Sequence, residues 1–297
     1  MNTRPTSLLF VVNPISGDID KGGTPTALQT FCEQHGIRCL IYETCGDDDR
    51  QQVQAMIEQE RPDAVVAVGG DGTVHLVGTL LIGKSLPMGI IPQGSGNGLS
   101  KDLDIPQDFD QALAVIEKFQ VNAIDTLRVN GTPSLHLADL GFNALIVKRF
   151  SEGEKRGPAA YAWHVMREYL NYQPKEYHIV TDKEEYRGKA FMVAIANANM
   201  FGSNAVINPE GVVDDGVFEV AILEEFPKLE GIGILYQLFT AKIHNSLRSR
   251  ILQCRRATIH NLENELLQAD GEVLAPTQTV EVEMLPKSLR VIVPAVH

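Results

Sequence analysis

The sequence predicts an α/β N-terminal domain with a doubly wound parallel sheet, followed by a mostly antiparallel β-sandwich domain. Three observations carry this. Short apolar runs alternate with amphipathic helical stretches over about the first 120 residues, a β-α-β-α-β-α-β rhythm that suits a parallel sheet with helical crossovers. Three glycine-bearing turns, 13–17, 69–73 and 94–98, each follow a strand and so share the carboxyl edge of that sheet, where open α/β sheets bind ligands. From about Asp125 strand-like runs dominate and helices become few. The expected domains are 1–124 and 125–285, with 286–297 a candidate return to the first, and the junction of the halves is the default ligand site.

The first strand, 8–12, runs into Asn13-Pro14-Ile15-Ser16-Gly17. There Pro14 removes a donor, Gly17 permits an unusual backbone angle, and Asn13 and Ser16 supply hydrogen bonds. Thr24 is read as the cap of a helix with Pro25 at its first position; Leu28, Phe31 and Cys32 form its inner stripe and Gly36 closes it. Strand 37–42 ends at Glu43-Thr44, and the helix Asp49–Glu60 follows with Val53, Met56 and Ile57 on one face. The apolar run 64–68 is stopped by Gly69 and Gly70, after which Val74, Val77 and Leu81 recur at helical spacing from near Thr73. Strand 88–91 leads into Pro92-Gln93-Gly94-Ser95-Gly96-Asn97-Gly98, and Phe109, Leu113 and Ile116 mark another helix. In the second half, 177–181, 190–196, 217–223, 257–260, 279–284 and 289–293 read as strands. Segments 158–170 and 229–242 read as helices, the first with Ala162, Val165, Met166 and Tyr169 on a shared face.

Composition narrows the function. A net charge of −12 argues against nucleic acid as a partner, and no apolar run approaches the roughly 20 residues that cross a bilayer. Cys32, Cys39, Cys45 and Cys254 lack paired metal-ligand spacing and read as reduced thiols, so a cytoplasmic protein is expected. The chemistry concentrates at Gly69-Gly70-Asp71-Gly72-Thr73. Strand, glycine turn and helix present backbone N–H groups and a positive helix end to a phosphate. A carboxylate there repels phosphate unless it binds the accompanying metal or takes a proton from an attacking hydroxyl, so Asp71 points to phosphoryl transfer.

The motifs Asn13-Pro14-Ile15-Ser16-Gly17, Gly69-Gly70-Asp71-Gly72-Thr73, Gly94-Ser95-Gly96-Asn97, Gly141-Phe142, Asp214-Asp215-Gly216 and Asp270-Gly271-Glu272, in that order, resemble the diacylglycerol kinase catalytic-domain superfamily. That resemblance implies an ATP- and Mg2+-dependent lipid kinase that transfers a γ-phosphoryl group to a hydroxyl of a diacylglycerol-like or sphingoid-like lipid. Asn13, Pro14, Ser16, Gly17 and Thr44 would contact the nucleotide; Gly69, Gly70, Asp71, Gly72, Thr73 and His75, with Gly94, Ser95 and Asn97, would hold its phosphates. Asp215 would ligate magnesium with the backbone carbonyls of Val212 and Val217. Asp71 and Glu272 are the two candidates for the catalytic proton acceptor.

Four residues at three places depart from the family pattern: His75-Leu76 replaces Asn-Glu, Gly98 replaces Asp, and Asp18 replaces a lysine for which Lys21 is the nearest substitute. His75-Leu76 and Gly98 leave open a nucleotide sensor without turnover, and the resemblance of Gly69-Gly70-Asp71-Gly72-Thr73 to the NAD kinases leaves open a kinase of a soluble hydroxyl compound such as NAD. The expected partners are a lipid substrate and, transiently, a membrane surface, met by Lys148-Arg149 or the basic run 242–256; a homo-oligomer also remains open.

Overall fold

The computed structural model describes residues 4–15, 23–152, 158–201 and 205–295, without side chains for 150–152, 158–164 and 201. The chain divides into two compact units, Met1–Thr126 with Pro286–His297, and Leu127–Leu285. Among the described residues, no helix is long and apolar enough to cross a membrane.

In the first unit, β1 (Ser7–Val12), β2 (Arg38–Glu43), β3 (Ala64–Gly69) and β4 (Met88–Pro92) form a parallel sheet in the order β4-β3-β1-β2. Strands β1, β3 and β4 are buried along their whole length, which is why they read as continuous apolar runs. The crossovers are α1 (Thr24–His35), α2 (Asp49–Glu60) and α3 (Asp71–Leu81), and α4 (Gly98–Asp102) and α5 (Phe109–Lys118) follow β4. The N-cap of α1 is Gly23, with Thr24 already inside the helix and buried, so its hydroxyl does not cap as expected. Helix α5 starts on the Asp108 carboxylate, which accepts from the Gln111 N–H at 3.0 Å, and buries Ala112, Leu113, Val115 and Ile116. Gly89 lets α5 close on the sheet, because a Cβ there would lie 2.6 Å from Ile116 Cδ1.

The second unit is antiparallel. Strand β5 (Val121–Val129) enters it and pairs with β6 (Thr132–Ser134). β7 (Leu137–Gly141) leads into α6 (Phe142–Glu152) and α7 (Pro158–Asn171); β8 (Lys175–Thr181) and β9 (Glu185–Ala196) form the next hairpin. The short pair β10 (Met200–Phe201) and β11 (Ala205–Val206) and the strand β12 (Phe218–Glu224) come before α8 (Gly231–Phe239). After it run β13 (Ser249–Cys254), β14 (Arg256–Asn261), β15 (Leu267–Ala269), β16 (Glu272–Leu274) and β17 (Thr279–Ile292). The second half of β9 pairs with both β7 and β12, and both its faces are buried. Val193 and Ile195 pack with Tyr177, Phe218 and Val280, whereas Met192, Ala194 and Ala196 pack with Tyr172, Phe226 and Ile234 beneath the helices.

Three elements differ from expectation. The runs 279–284 and 289–293 are one strand, β17, that continues through Pro286 into the first unit. Proline offers no N–H, and the neighbouring Lys287 N–H donates instead to the buried Asp125 carboxylate at 2.6 Å. The helix placed at 229–242 is a 3-10 turn, Lys228–Glu230, followed by α8. On α7, Met166 is exposed and Tyr169 half-buried, although both were assigned to one face; the Ala162 side chain lies outside the described residues.

Candidate active site

The loops after β1, β2, β3 and β4 lie along one sheet edge because each is tied to its neighbour. Asn13 N–H donates to Val68 O (3.0 Å), Thr44 N–H to Val12 O (2.8 Å) and Gln93 N–H to Gly69 O (2.8 Å). Asn13 Oδ1 accepts from the Ile15 N–H at 3.1 Å, shaping the turn that holds Pro14; Ser16 and Gly17 lie outside the described residues.

The two glycine loops are packed backbone against backbone. A Cβ on Gly94 would sit 2.5 Å from Gly70 Cα and 2.8 Å from Asn97 Oδ1, which excludes a side chain there, and one on Gly70 would crowd Gly94 Cα at 3.1 Å. At Gly69 the obstacle is Thr73, whose Oγ1 is 2.3 Å from where a Cβ would be. Gly72 differs: it is exposed and a Cβ there would meet nothing within 4 Å, leaving the positive end of α3 approachable. His75 is half-buried in the first turns of α3, and Ser95 is exposed at the tip of the second loop.

Asp71 joins these loops. Its Oδ2 accepts from the Asn97 N–H (2.9 Å) and its Oδ1 from the Gly98 N–H (2.7 Å). Asn97 is held in a left-handed conformation (φ 57°), its Oδ1 accepting from the Gly94 N–H at 2.9 Å and its Nδ2 donating to Gly94 O at 2.9 Å and Gln107 Oε1 at 3.0 Å. Both carboxylate oxygens of Asp71 thus organise the neighbouring loop. Gly98 takes part in this contact through its backbone N–H, which does not depend on a side chain.

In the second unit, Asp270-Gly271 forms the turn between β15 and β16, with both residues at positive φ (49° and 89°), as a two-residue hairpin of this twist requires. Asp270 is buried and its carboxylate accepts from Ser134 Oγ (3.0 Å) and from the N–H groups of Leu135 (2.6 Å), His136 (3.2 Å) and Leu137 (3.2 Å). The motif therefore divides its labour: Asp270 anchors the hairpin and Glu272, one residue past the turn, faces solvent.

Val212, Asp215 and Val217 lie on one exposed loop. Asp215 Oδ1 accepts from the Val217 N–H at 3.1 Å, and Gly216 takes φ 80°. Beneath the loop, Asn208 Nδ2 donates to Glu219 at 2.8 Å, while the buried Asn199 Oδ1 and Asn208 Oδ1 have no hydrogen-bond partner among the described residues. Burial raises the affinity of Glu219 for its proton, and the Asp215 charge adds to the effect. Among the described residues, no three His, Cys, Asp or Glu side chains converge on a metal position. A set of one carboxylate and two backbone carbonyls does not need such convergence, and its hard oxygens beside uncompensated amide oxygens fit magnesium.

Two carboxylates were not singled out from the sequence, Glu219 and Asp139. The only available signal was an acid inside an otherwise apolar strand. Asp139 Oδ2 accepts from Asn143 Nδ2 (2.7 Å) and Gln268 Nε2, whereas its Oδ1 is buried without a partner among the described residues. Burial pushes the Asp139 carboxyl up from 3.8 to about 6. Because the folded state holds this proton more tightly than the unfolded chain, stability falls as pH rises from about 4 to about 6 and stays lower above that. Asp139→Asn is expected to be neutral near pH 4 and to stabilise near pH 8 by roughly 2–3 kcal/mol, read from melting curves of both proteins across that range.

Comparison with known proteins agrees with this arrangement. Residues 7–129 match the diacylglycerol kinase catalytic domain, and residues 138–293 match the YegS C-terminal NAD kinase beta sandwich-like domain. An uncharacterized protein from Synechocystis sp. is 30% identical, with 98% of this chain and 71% of that protein aligned. A protein named "Probable lipid kinase YegS" from Salmonella arizonae is 26% identical over 88% of each chain. The crystal structure of a diacylglycerol kinase from Bacillus anthracis superposes with a TM-score of 0.77 over 98% of both chains, at 21% identity, a likeness of fold. The chain belongs to the diacylglycerol kinase catalytic-domain family, in the two-domain form of kinase that ends in a YegS-type β-sandwich.

Proposed function

We propose that this kinase uses ATP and Mg2+ to phosphorylate a hydroxyl of a diacylglycerol-like or sphingoid-like lipid, working in the cytoplasm and meeting membranes transiently. The observation that carries the reading is the pair of glycine loops held edge to edge by Asp71 at the start of α3. Backbone amides at that helix end suit a polyphosphate, and the close crossing of Gly70 and Gly94 fixes their spacing. Asn13, Pro14 and Thr44 border the same edge and suit the rest of the nucleotide, with Ser16 and Gly17 following in sequence. Thr73 and His75 begin the helix, and Ser95 and Asn97 complete the second loop.

Asp71, with both oxygens committed to amides, serves in this reading as a positioning residue. Glu272 is the group that accepts the proton of the attacking hydroxyl, since it projects past a hairpin whose own anchoring falls to Asp270. Asp215 with the carbonyls of Val212 and Val217 would hold magnesium. When bound, magnesium neutralises phosphate charge. The name of the Salmonella relative supports a lipid acceptor.

Incubation of the purified protein with labelled ATP and a panel of lipids, beside a panel of soluble hydroxyl compounds including NAD, tests the proposal. Phosphorylated lipid read by mass spectrometry is the expected product. Product only from the soluble panel would replace the lipid by a soluble acceptor, and ATP-dependent thermal stabilisation without any product would make the chain a nucleotide sensor.

A further inference from the structure

Helix α8 carries its apolar residues on the outside. Ile232, Leu235, Tyr236 and Phe239 follow at i, i+3, i+4 and i+7, and all are exposed, Ile232 at 83%. Ile234, 7% exposed, is the residue that enters the core beneath β9. Leu229, 96% exposed in the preceding turn, lengthens the stripe, and Leu247, 98% exposed, stands on the loop that follows. Leu238, half-buried, packs with Ile234 against that core, so α8 is apolar on its outer face as well as its inner one, unlike an ordinary surface helix.

This outward stripe belongs to a firmly seated element. Gly231 presses on α7 so closely that a Cβ would lie 2.0 Å from Tyr169 Oη. Lys228 Nζ donates to Tyr169 O (2.5 Å) and Tyr172 O (2.7 Å), tying the turn before α8 to the end of α7.

The charge around the stripe points to its occupant. The chain carries −12 overall, yet between Pro227 and Arg256 it has six basic residues and the single acid Glu230, which Arg248 holds with two hydrogen bonds (3.1 and 3.0 Å). Lys242, just past the end of α8, is exposed, whereas Arg250 lies over the Tyr186 ring and pairs with Glu184 at 3.5 Å on the other face of β13, since its neighbour Ile251 packs toward α8. An apolar stripe with an exposed lysine at its end suits the headgroup layer of an anionic bilayer, the stem of the lysine following the stripe and its ammonium reaching the phosphates. A second copy of this chain would bring like charges together across a twofold axis.

We propose that α8 and its preceding turn form a membrane-docking face, seated in the interfacial layer of an anionic bilayer with its apolar stripe at the acyl boundary and Lys242 toward lipid phosphates. It deepens the lipid-kinase reading and rests on it for its purpose, since a lipid acceptor resides in a bilayer.

Flotation of the full chain with phosphatidylcholine vesicles, with and without phosphatidylglycerol and in the absence of ATP, tests the face directly. The wild type is expected to float with the anionic vesicles. Leu235→Ser with Phe239→Ser should weaken that partition by about tenfold or more, given the apolar area removed. Lys242→Glu should weaken the preference for phosphatidylglycerol, whereas Arg250→Gln, on the other face of β13, should leave it unchanged. Tyr236→Trp, measured over the background of the single native tryptophan, should be quenched by brominated lipid. Unchanged melting temperatures establish that the variants fold. Undiminished flotation of the serine variant, or a concentration-dependent dimer that the same substitutions dissolve, overturns the proposal. Phosphorylation of a dispersed short-chain diacylglycerol should survive in the serine variant while that of vesicle-embedded substrate falls. Substitution-sensitive flotation by a protein that phosphorylates no lipid supports the docking face and refutes the kinase reading instead.

Discussion

Glu272→Gln is expected to lower kcat by about 10²–10⁴-fold while leaving the melting temperature and the affinity for nucleotide unchanged. The amide keeps the size and exposure of the side chain but cannot accept a proton from the attacking hydroxyl. Since Glu272 is exposed past the hairpin turn, little folding energy is expected to depend on its charge. The neighbouring Asp270 provides the contrast. Its carboxylate accepts from three consecutive backbone N–H groups and a serine hydroxyl, all at buried sites. Asp270→Ala should therefore cost roughly 2–4 kcal/mol of stability, because removing the shared acceptor strands several buried donors. Thermal melts and steady-state kinetics on both variants separate the roles. An Asp270→Ala protein with wild-type stability, or a Glu272→Gln protein with wild-type kcat, contradicts the division made here.

Gly94→Ala should weaken nucleotide binding by about tenfold or more, the scale expected when one or two hydrogen bonds to the phosphates are misplaced. The new methyl would lie 2.5 Å from Gly70 Cα, and backbone cannot swing aside as the tip of a side chain can. The two loops must separate, and with them the amide hydrogen bonds of Asn97 and Gly98 to Asp71. Asp71→Ala should reach a similar end from the other direction, losing the clamp without a clash, at a cost of roughly 2 kcal/mol in stability as well. Gly72→Ala is the control, since a Cβ there meets nothing within 4 Å. Calorimetric titration with ATP decides the matter: equal affinities for Gly94→Ala and Gly72→Ala would mean that the crossing does not set the site.

Much of the architecture was readable along the chain. The runs 8–12, 64–68 and 88–91 are strands because continuous small or branched apolar residues are compatible with burial on both faces. The glycine turns that follow them share an edge as a consequence of parallel pairing. Short pieces escaped: β7, β15 and β16 are only a few residues long, too brief for periodicity to register, and β13 opens on the polar pair Ser249-Arg250 within a basic run and lacks the alternation of a half-buried strand. The 229–242 segment announced a helix, but its spacing alone did not say which side would meet the core; Ile234 faces inward and Ile232 outward.

The sequence by itself determined the order of motifs, the class of each half and the residue types available for phosphate and metal chemistry, because these follow from local spacing and backbone preference. Tertiary structure decided what the carboxylates do. Asp71 reads as a candidate for chemistry and Asp270 only as part of a motif, and each accepts from amides of segments 26 or more residues away in sequence. A side chain's partners across such separations depend on how distant strands are registered, and no local pattern encodes that.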